Sequence, residues 1–346
     1  MEHKPVYYSE YLELDKILNA QHPVSFQENH TPAHDEMLFI VIHQAYELWF
    51  KQILFEVQSV IDIMEKPLIN DNSPELQTIV HRLQRASTIL VLLVQQIDIL
   101  DTMTPMDFLD FRDMLRPASG FQSIQFKILE AKLGLTFDQR HGKAYYTSQL
   151  TPTDVEVIKT VESQPSLIHL LNGWLERMPF FEDKELWKNF LNVNSSSEQP
   201  FWDEYQKIYE STLGEGEKLN AKAFKEIIFG EGSHEFRALS PKACRAALFI
   251  IIYRGHPMLE LPFQLLNTLI QIDNQLGNWR ARHVNMVRRM IGTRTGTGGS
   301  TGAGYLQGAM DKHFIFRELS QLHSFLIDRR RLPVLPQEII DRLGYR

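Results

Sequence analysis

Apolar residues recur along this chain at intervals of three and four, and strict alternation of apolar and polar positions is absent, so the pattern predicts helices without a sheet. The clearest stretch runs from Pro262 to Ile291, where Leu265, Leu269, Ile272, Leu276, Trp279, Met286 and Met290 fall on one stripe in a four-three repeat. The same spacing predicts helices near 34–65, 74–101, 105–115, 121–133, 151–178, 201–213, 241–254, 262–291 and 305–327. Local chemistry sets several ends. Ser73-Pro74 and Thr104-Pro105 each place a hydroxyl cap before a proline, whose missing N–H is no loss in the first helical turn, and Asp107 completes a capping box with Thr104. Pro117 and Gly134 act as stop signals. Polar, Gly- and Ser-containing stretches at 192–200, 213–218 and 230–233 break the middle third, so 136–240 reads as an irregular helical insertion within one all-α domain spanning 1–346.

Composition narrows the function classes. A chain of 346 residues with 43% hydrophobic and 23% charged side chains can bury one large core or two smaller ones. Its net charge of −7 offers no footprint for nucleic acid, and the run Arg329-Arg330-Arg331 reads as a solvated basic turn. Cys244 is the single cysteine, which excludes an intrachain disulfide and a cysteine-based zinc site and fits a reducing compartment. The longest unbroken apolar run, Ala246 to Tyr253, is far below membrane-spanning length, and no apolar signal region precedes Tyr7. The expectation is a cytoplasmic protein without membrane or nucleic-acid partners.

Four features carry candidate chemistry. His283 shares the apolar stripe of the 262–291 helix, where a neutral imidazole needs a hydrogen bond or a metal to offset its desolvation; both readings stay open on spacing alone. His43 follows Phe39, Ile40, Val41 and Ile42, and Glu47 lies one turn on. With no further carboxylates at matching spacing, a hydrogen-bonded His43–Glu47 pair is favoured over a shared metal. Arg112 stands among Phe108, Phe111 and Leu115, either paired at the surface with Asp110 or Asp113 or aimed as a planar fork at a substrate carboxylate. The segment TRTGTGGSTGAG from Thr293 lacks the Gly-Lys-Ser/Thr ending of a phosphate loop, which leaves a flexible linker or a lid whose hydroxyls close over a polar ligand.

Taken together, four blocks resemble the tryptophan 2,3-dioxygenase family: YSEYLELDKILNAQ from Tyr8, HDEMLFIVIHQAYELWFKQILFE from His34, FRDMLRPASGFQSIQF from Phe111 and WRARHVNMVRRMIGTRTGTGGSTGAGYL from Trp279. They keep the family's order and spacing. The likeness is strong over 7–135 and 240–315 and looser in the middle insertion and the C-terminal tail.

This resemblance implies an all-α helical bundle enclosing a haem pocket and a dioxygenase that opens the indole ring of L-tryptophan with O2 to give N-formylkynurenine, the first step of the kynurenine pathway. It implies haem b, one per subunit and ferrous when active, with His283 as the proximal ligand and His43 as the distal histidine near the indole nitrogen. Arg112 then takes the substrate carboxylate, Thr297 the ammonium, and Phe39 and Phe108 enclose the ring. Tyr8, Tyr11 and Leu12 correspond to residues donated by a neighbouring subunit of a homotetramer. The energetics favour this division. Burying about 200 Å² of indole at roughly 25 cal/mol/Å² yields about 5 kcal/mol, whereas micromolar affinity needs about 8, so the ionic contacts must contribute.

Overall fold

The computed structural model describes residues 5–67, 69, 73–140, 150–181, 184–187, 190, 199–232, 237–294, 306–308, 310 and 312–344. Among the described residues there are helices and turns and no strand, as the apolar periodicity predicts. Two short helices, α1 (Tyr8–Tyr11) and α2 (Leu14–Leu18), lead into the long α3 (Asp35–Met64). Then follow α4 (Pro74–Leu100), the short α5 (Pro105–Arg112) and α6 (Ile124–Leu133). The middle third contributes α7 (Pro152–Glu162), α8 (Leu167–Leu175), α9 (Pro200–Glu210) and α10 (Lys218–Phe224). The chain closes with α11 (Pro241–Ile252), the 35-residue α12 (Pro257–Ile291), α13 (Arg317–Gln321) and α14 (Gln337–Arg342).

Helix α4 is the spine. It packs along both α3 and α12, burying Leu76, Ile79, Leu83, Leu90 and Leu93 at 2% exposure or less, while α5 and α6 lean on the same group. It is also the one described helix long and apolar enough by composition to cross a membrane, and its place between α3 and α12 accounts for that apolarity as core packing. The described parts of the 136–240 stretch join the same continuous core through aromatic rings: Phe224 stacks on Tyr209 and meets Phe325 edge-on, and Phe201 meets Phe249. Cys244 is free and buried, and burial pushes its thiol up to about 12, so it stays protonated.

Several boundaries differ from those the pattern predicts, each for a local reason. The helix expected at 262–291 begins at Pro257; at the sixth position the Pro262 ring forfeits one intrahelical bond, and its burial in the core offsets the loss. The helix expected at 151–178 is two, α7 and α8, because Pro165 pushes Gln164 out of helical geometry. The helix expected at 305–327 is not continuous. Asp273 on α12 accepts the backbone N–H groups of Ile315 and Phe316, both at 3.0 Å, and that capture diverts the chain from a helical path before α13. Helices α1, α2, α10 and α14 are too short for periodicity to reveal.

The predicted caps hold. Thr104 and Asp107 exchange the two bonds of a capping box, and Ser73 caps α4. Gly134 ends α6 with φ +132°, and a Cβ placed there would stand 2.3 Å from Ile168 Cγ2 on α8. Both the backbone sign and the space forbid a side chain. Replacing Gly134 with alanine should therefore destabilise the fold by about 1–3 kcal/mol, read as a lower urea midpoint at unchanged m-value; an unshifted midpoint would contradict this reading.

Candidate active site

The stripe of α12 opens onto a cavity that also receives residues from α3, α5 and α6. Its first landmark is His283. The ring stacks on Trp279 at 5.1 Å and 20°, with Phe126 of α6 packed on the other part of that indole at 5.0 Å. Nδ1 of His283 is buried and has no hydrogen-bond partner. Burial, with a smaller contribution from His43, pushes the imidazole down to about 4, so it is neutral at physiological pH. The ring is half-buried and lines the cavity. A desolvated imidazole without a partner is costly, and the chemistry that offsets it is a ligand in the cavity.

His43 enters from α3. Its Nδ1 donates to the Phe39 carbonyl at 2.7 Å, which fixes the neutral tautomer and leaves Nε2 as an acceptor. Burial lowers its pKa, with partial opposition from that backbone bond and from Glu47. The expected His43–Glu47 hydrogen bond is not formed. Glu47 instead accepts from Gln125 Nε2 at 2.8 Å, because α6 brings that amide within reach while the imidazole satisfies itself one turn back. The described residues contain no cluster of three metal-ligating side chains. Tyr46, on the same helix, donates to the Leu93 carbonyl at 2.7 Å and burial raises its phenol to about 12, so it is a fixed wall and not a proton carrier.

At the far side, Phe39, Phe108 and Phe111 form a mutual aromatic cluster, with Phe39 stacked on Phe108 at 5.8 Å and the His43 ring 4.1 Å from Phe39. Arg112 lies in the last turn of α5, lines the cavity, and is only 4% exposed, so its side chain is buried while its expected neighbour Asp113 stays at the surface. Asp113, 80% exposed, stands 4.0 Å from its Nη1, the outer limit of an ion pair. A buried guanidinium facing an apolar cavity is suited to a carboxylate, which it grips with two parallel N–H bonds.

One wall of the cavity is polar in a way the sequence did not announce. Glu130 of α6 accepts from Arg280 Nη2 of α12 at 2.7 Å and from Arg140 Nη1 at 2.5 Å, and His313 Nδ1 lies 3.7 Å away. Arg280 also donates to the His313 carbonyl at 2.8 Å. Burial alone would raise the Glu130 pKa, but Arg140, His313 and Arg280 outweigh it and hold the carboxyl well below its ordinary value. Lys127, one turn before Glu130, is pushed down to about 8 by its own burial. Three cations thus gather around Glu130 at the cavity's edge. The set would suit a flat, mostly apolar, metal-containing ligand with anionic edge groups: His283 would offer a nitrogen to the metal, the stacked aromatics would wall the apolar part, and the cationic edge would offset the charge.

Of the residues expected to act, the structure brings Phe39, His43, Phe108, Arg112 and His283 to one cavity. Tyr8 and Tyr11, each 75% exposed, and Leu12, 36% exposed, do not line it; α1 and α2 bury nothing within their own chain. Thr297 and most of the glycine-rich segment lie outside the described residues. The residues that sequence reasoning missed are Tyr46, Phe126, Lys127 and the Glu130–Arg140–Arg280 cluster. The one available signal was the seven-residue spacing of Asp273 and Arg280, two charges on the buried side of α12.

These features define a class: an all-helical protein with a mostly apolar cavity carrying two neutral histidines and a buried arginine. Comparison with known proteins narrows it. The family pattern described as tryptophan 2,3-dioxygenase matches residues 1–326. The chain is 40% identical to the tryptophan 2,3-dioxygenase of Bdellovibrio bacteriovorus, covering 100% of this chain and 99% of that protein. It is 42% identical to the one from Alteromonas mediterranea, covering 99% and 98%, and 41% identical to the one from Xenopus laevis, covering 96% and 85%. The chain belongs to the tryptophan 2,3-dioxygenase family.

The buried cluster yields a prediction. Replacing Glu130 with glutamine leaves Arg280 and Arg140 without their carboxylate and should destabilise the protein by about 3–5 kcal/mol in urea unfolding. Because the folded-state pKa is depressed, the carboxylate's contribution is complete above its unfolded value of about 4.3 and is lost as pH falls below it. The gap between wild type and the Glu130→Gln variant should therefore narrow below about pH 4; a gap independent of pH would refute the ionic role.

Proposed function

We propose that this chain is a haem-dependent dioxygenase that cleaves the C2–C3 bond of L-tryptophan with O2 to give N-formylkynurenine, the first step of tryptophan degradation by the kynurenine pathway. Membership of the family supports the reaction. The observation that carries the site is a half-buried His283 whose buried Nδ1 lacks a partner, in the same cavity as the buried Arg112. In this reading the chain is one haem-dioxygenase domain over 1–346 with 136–240 inserted in it, acting in the cytoplasm.

His283 would hold haem b, one per subunit, through its imidazole. When bound, the ferrous haem supplies the redox-active iron that makes O2 reactive toward the electron-rich indole. The chain's own residues do the rest. Arg112 binds the substrate carboxylate through its fork, worth about 1.5–3 kcal/mol for each charge-assisted bond. Phe39 and Phe108, stacked on each other, wall the indole side of the pocket and exclude water. His43 accepts the indole N–H at Nε2, because Nδ1 is committed to the Phe39 carbonyl and burial keeps the ring neutral. Its role is orientation, with proton acceptance at that nitrogen secondary. Thr297 meets the substrate ammonium. Tyr8, Tyr11 and Leu12 complete the site of a neighbouring subunit in a homotetramer, a role supported by their exposure and by the absence of buried residues in α1.

Incubating haem-loaded protein with L-tryptophan under oxygen should consume O2 and produce the absorbance of N-formylkynurenine without added reductant at each turnover. A hydroxylated ring in place of the opened one would overturn the assignment. Arg112→Lys should raise the tryptophan Kd about tenfold or more with unchanged haem content, since lysine keeps the charge and loses the fork; equal affinity would contradict the carboxylate role. Because burial depresses the His283 pKa to about 4, the ring stays neutral and able to bind iron as pH falls past the ordinary histidine value of about 6.5. Haem should accordingly be retained as pH falls through 6.5 to 5, followed by its absorption band on gel filtration; release centred near pH 6.5 would contradict a desolvated ligand.

A further inference from the structure

A second cavity lies at the opposite end of α12 from the site just described, and its construction points to a ligand. Its floor is apolar, formed by Ile251 of α11, Leu266 and Ile270 of α12, and Ile327 and Leu332 of the C-terminal segment, and its volume is about 370 Å³. That volume falls at the lower end of the roughly 300–1,000 Å³ common to small-molecule sites. The rim carries Arg254 and Arg329. Ile270 and His283 are thirteen residues apart on one helix, so the two cavities are about 20 Å from each other along its axis.

Both arginines are exposed, and neither forms an ion pair with a carboxylate among the described residues. The Arg254 guanidinium sits over the Phe263 ring at 4.6 Å, a stacking that fixes the plane and leaves its edge N–H groups available. Arg329 opens the run of three arginines that the sequence presents as a solvated basic turn. The run is divided among different partners. Asp328, which caps this turn, gives Oδ1 and Oδ2 to Arg330 at 3.0 and 2.5 Å, and Arg331 donates to the Ser211 hydroxyl at 2.7 Å. Asp328 pairs with Arg330, while Arg329 lines the cavity's rim with Arg254, and among the described residues neither of these two makes a salt bridge. In a chain of net charge −7, two uncompensated guanidinium groups over one apolar pocket are complementary to a single small molecule with an anionic head and an apolar tail.

We propose that this cavity is a binding site for a small carboxylate with an apolar tail, its head on Arg254 and Arg329 and its tail on the isoleucine and leucine floor. The carboxylate bridges the two forks, and the tail displaces water from Leu266 and Ile270. Neither arginine belongs to the tryptophan site, so this binding is independent of the reading given above.

Octanoate is the probe, with octan-1-ol as its neutral counterpart, titrated into the purified full-length protein by isothermal calorimetry and ligand-observed NMR. Octanoate should bind saturably, octanol at least tenfold more weakly. Arg254→Gln and Arg329→Gln should each weaken octanoate by about tenfold while leaving the melting temperature unchanged, since both side chains are exposed. Arg112→Lys should leave octanoate affinity within twofold, which separates this cavity from the tryptophan pocket. No saturable binding at millimolar octanoate, equal binding of octanol, retention of affinity in both glutamine variants, or loss of affinity in Arg112→Lys would each overturn the proposal.

Discussion

A buried imidazole nitrogen needs a partner, and the architecture around His283 leaves its Nδ1 without one among the described residues. Trp279 covers one face of the ring, Phe126 backs that indole, and Nδ1 is buried without an acceptor. The same burial keeps the ring neutral, which is the form that binds iron. The cost of holding such a group is carried by the long packing of α12 on α4, whose apolar stripe extends beyond the site in both directions.

The rest of the cavity follows from keeping that face open while closing the others. Helix α3 turns His43 toward its own backbone, so the imidazole is oriented without a second side chain. Helix α5 ends at Arg112, set by a capping box at Thr104 that fixes where its last turn falls. Glu130 ties α6 to α12 through Arg280 and receives Arg140 from the loop that follows α6, making one polar wall rigid. Such a buried pair adds little net stability compared with an apolar packing of the same shape, yet removing one member is severe, and its value here is to hold two walls in register.

The helical class, the caps at Ser73 and Thr104 and the stop at Gly134 were legible because they depend on neighbours within a turn or two. His283 was legible as an interior residue from its place in the four-three repeat, but only the family resemblance separated a ligand from a hydrogen-bonded core histidine. Arg112 was ambiguous for the opposite reason: neighbouring acids made a surface pair plausible, and the structure keeps a long contact to Asp113 while burying the guanidinium at the cavity. What stayed hidden depends on distant partners. Arg280 meets Glu130 across 150 residues, Gln125 reaches Glu47 across 78, and Asp273 diverts a segment 42 residues ahead from the helix its apolar pattern favours. No local spacing encodes such meetings. The exposure of Tyr8 and Tyr11 likewise depends on the absence of intrachain contacts, which a sequence does not display.

The most direct measurement is resonance Raman spectroscopy of the ferrous haem protein, comparing wild type with a His283→Gly variant before and after addition of free imidazole. Wild type should show an iron–histidine stretching band, the variant should lose it, and imidazole entering the vacated space should restore an iron–nitrogen band. A variant that keeps the wild-type band would contradict His283 as the proximal ligand.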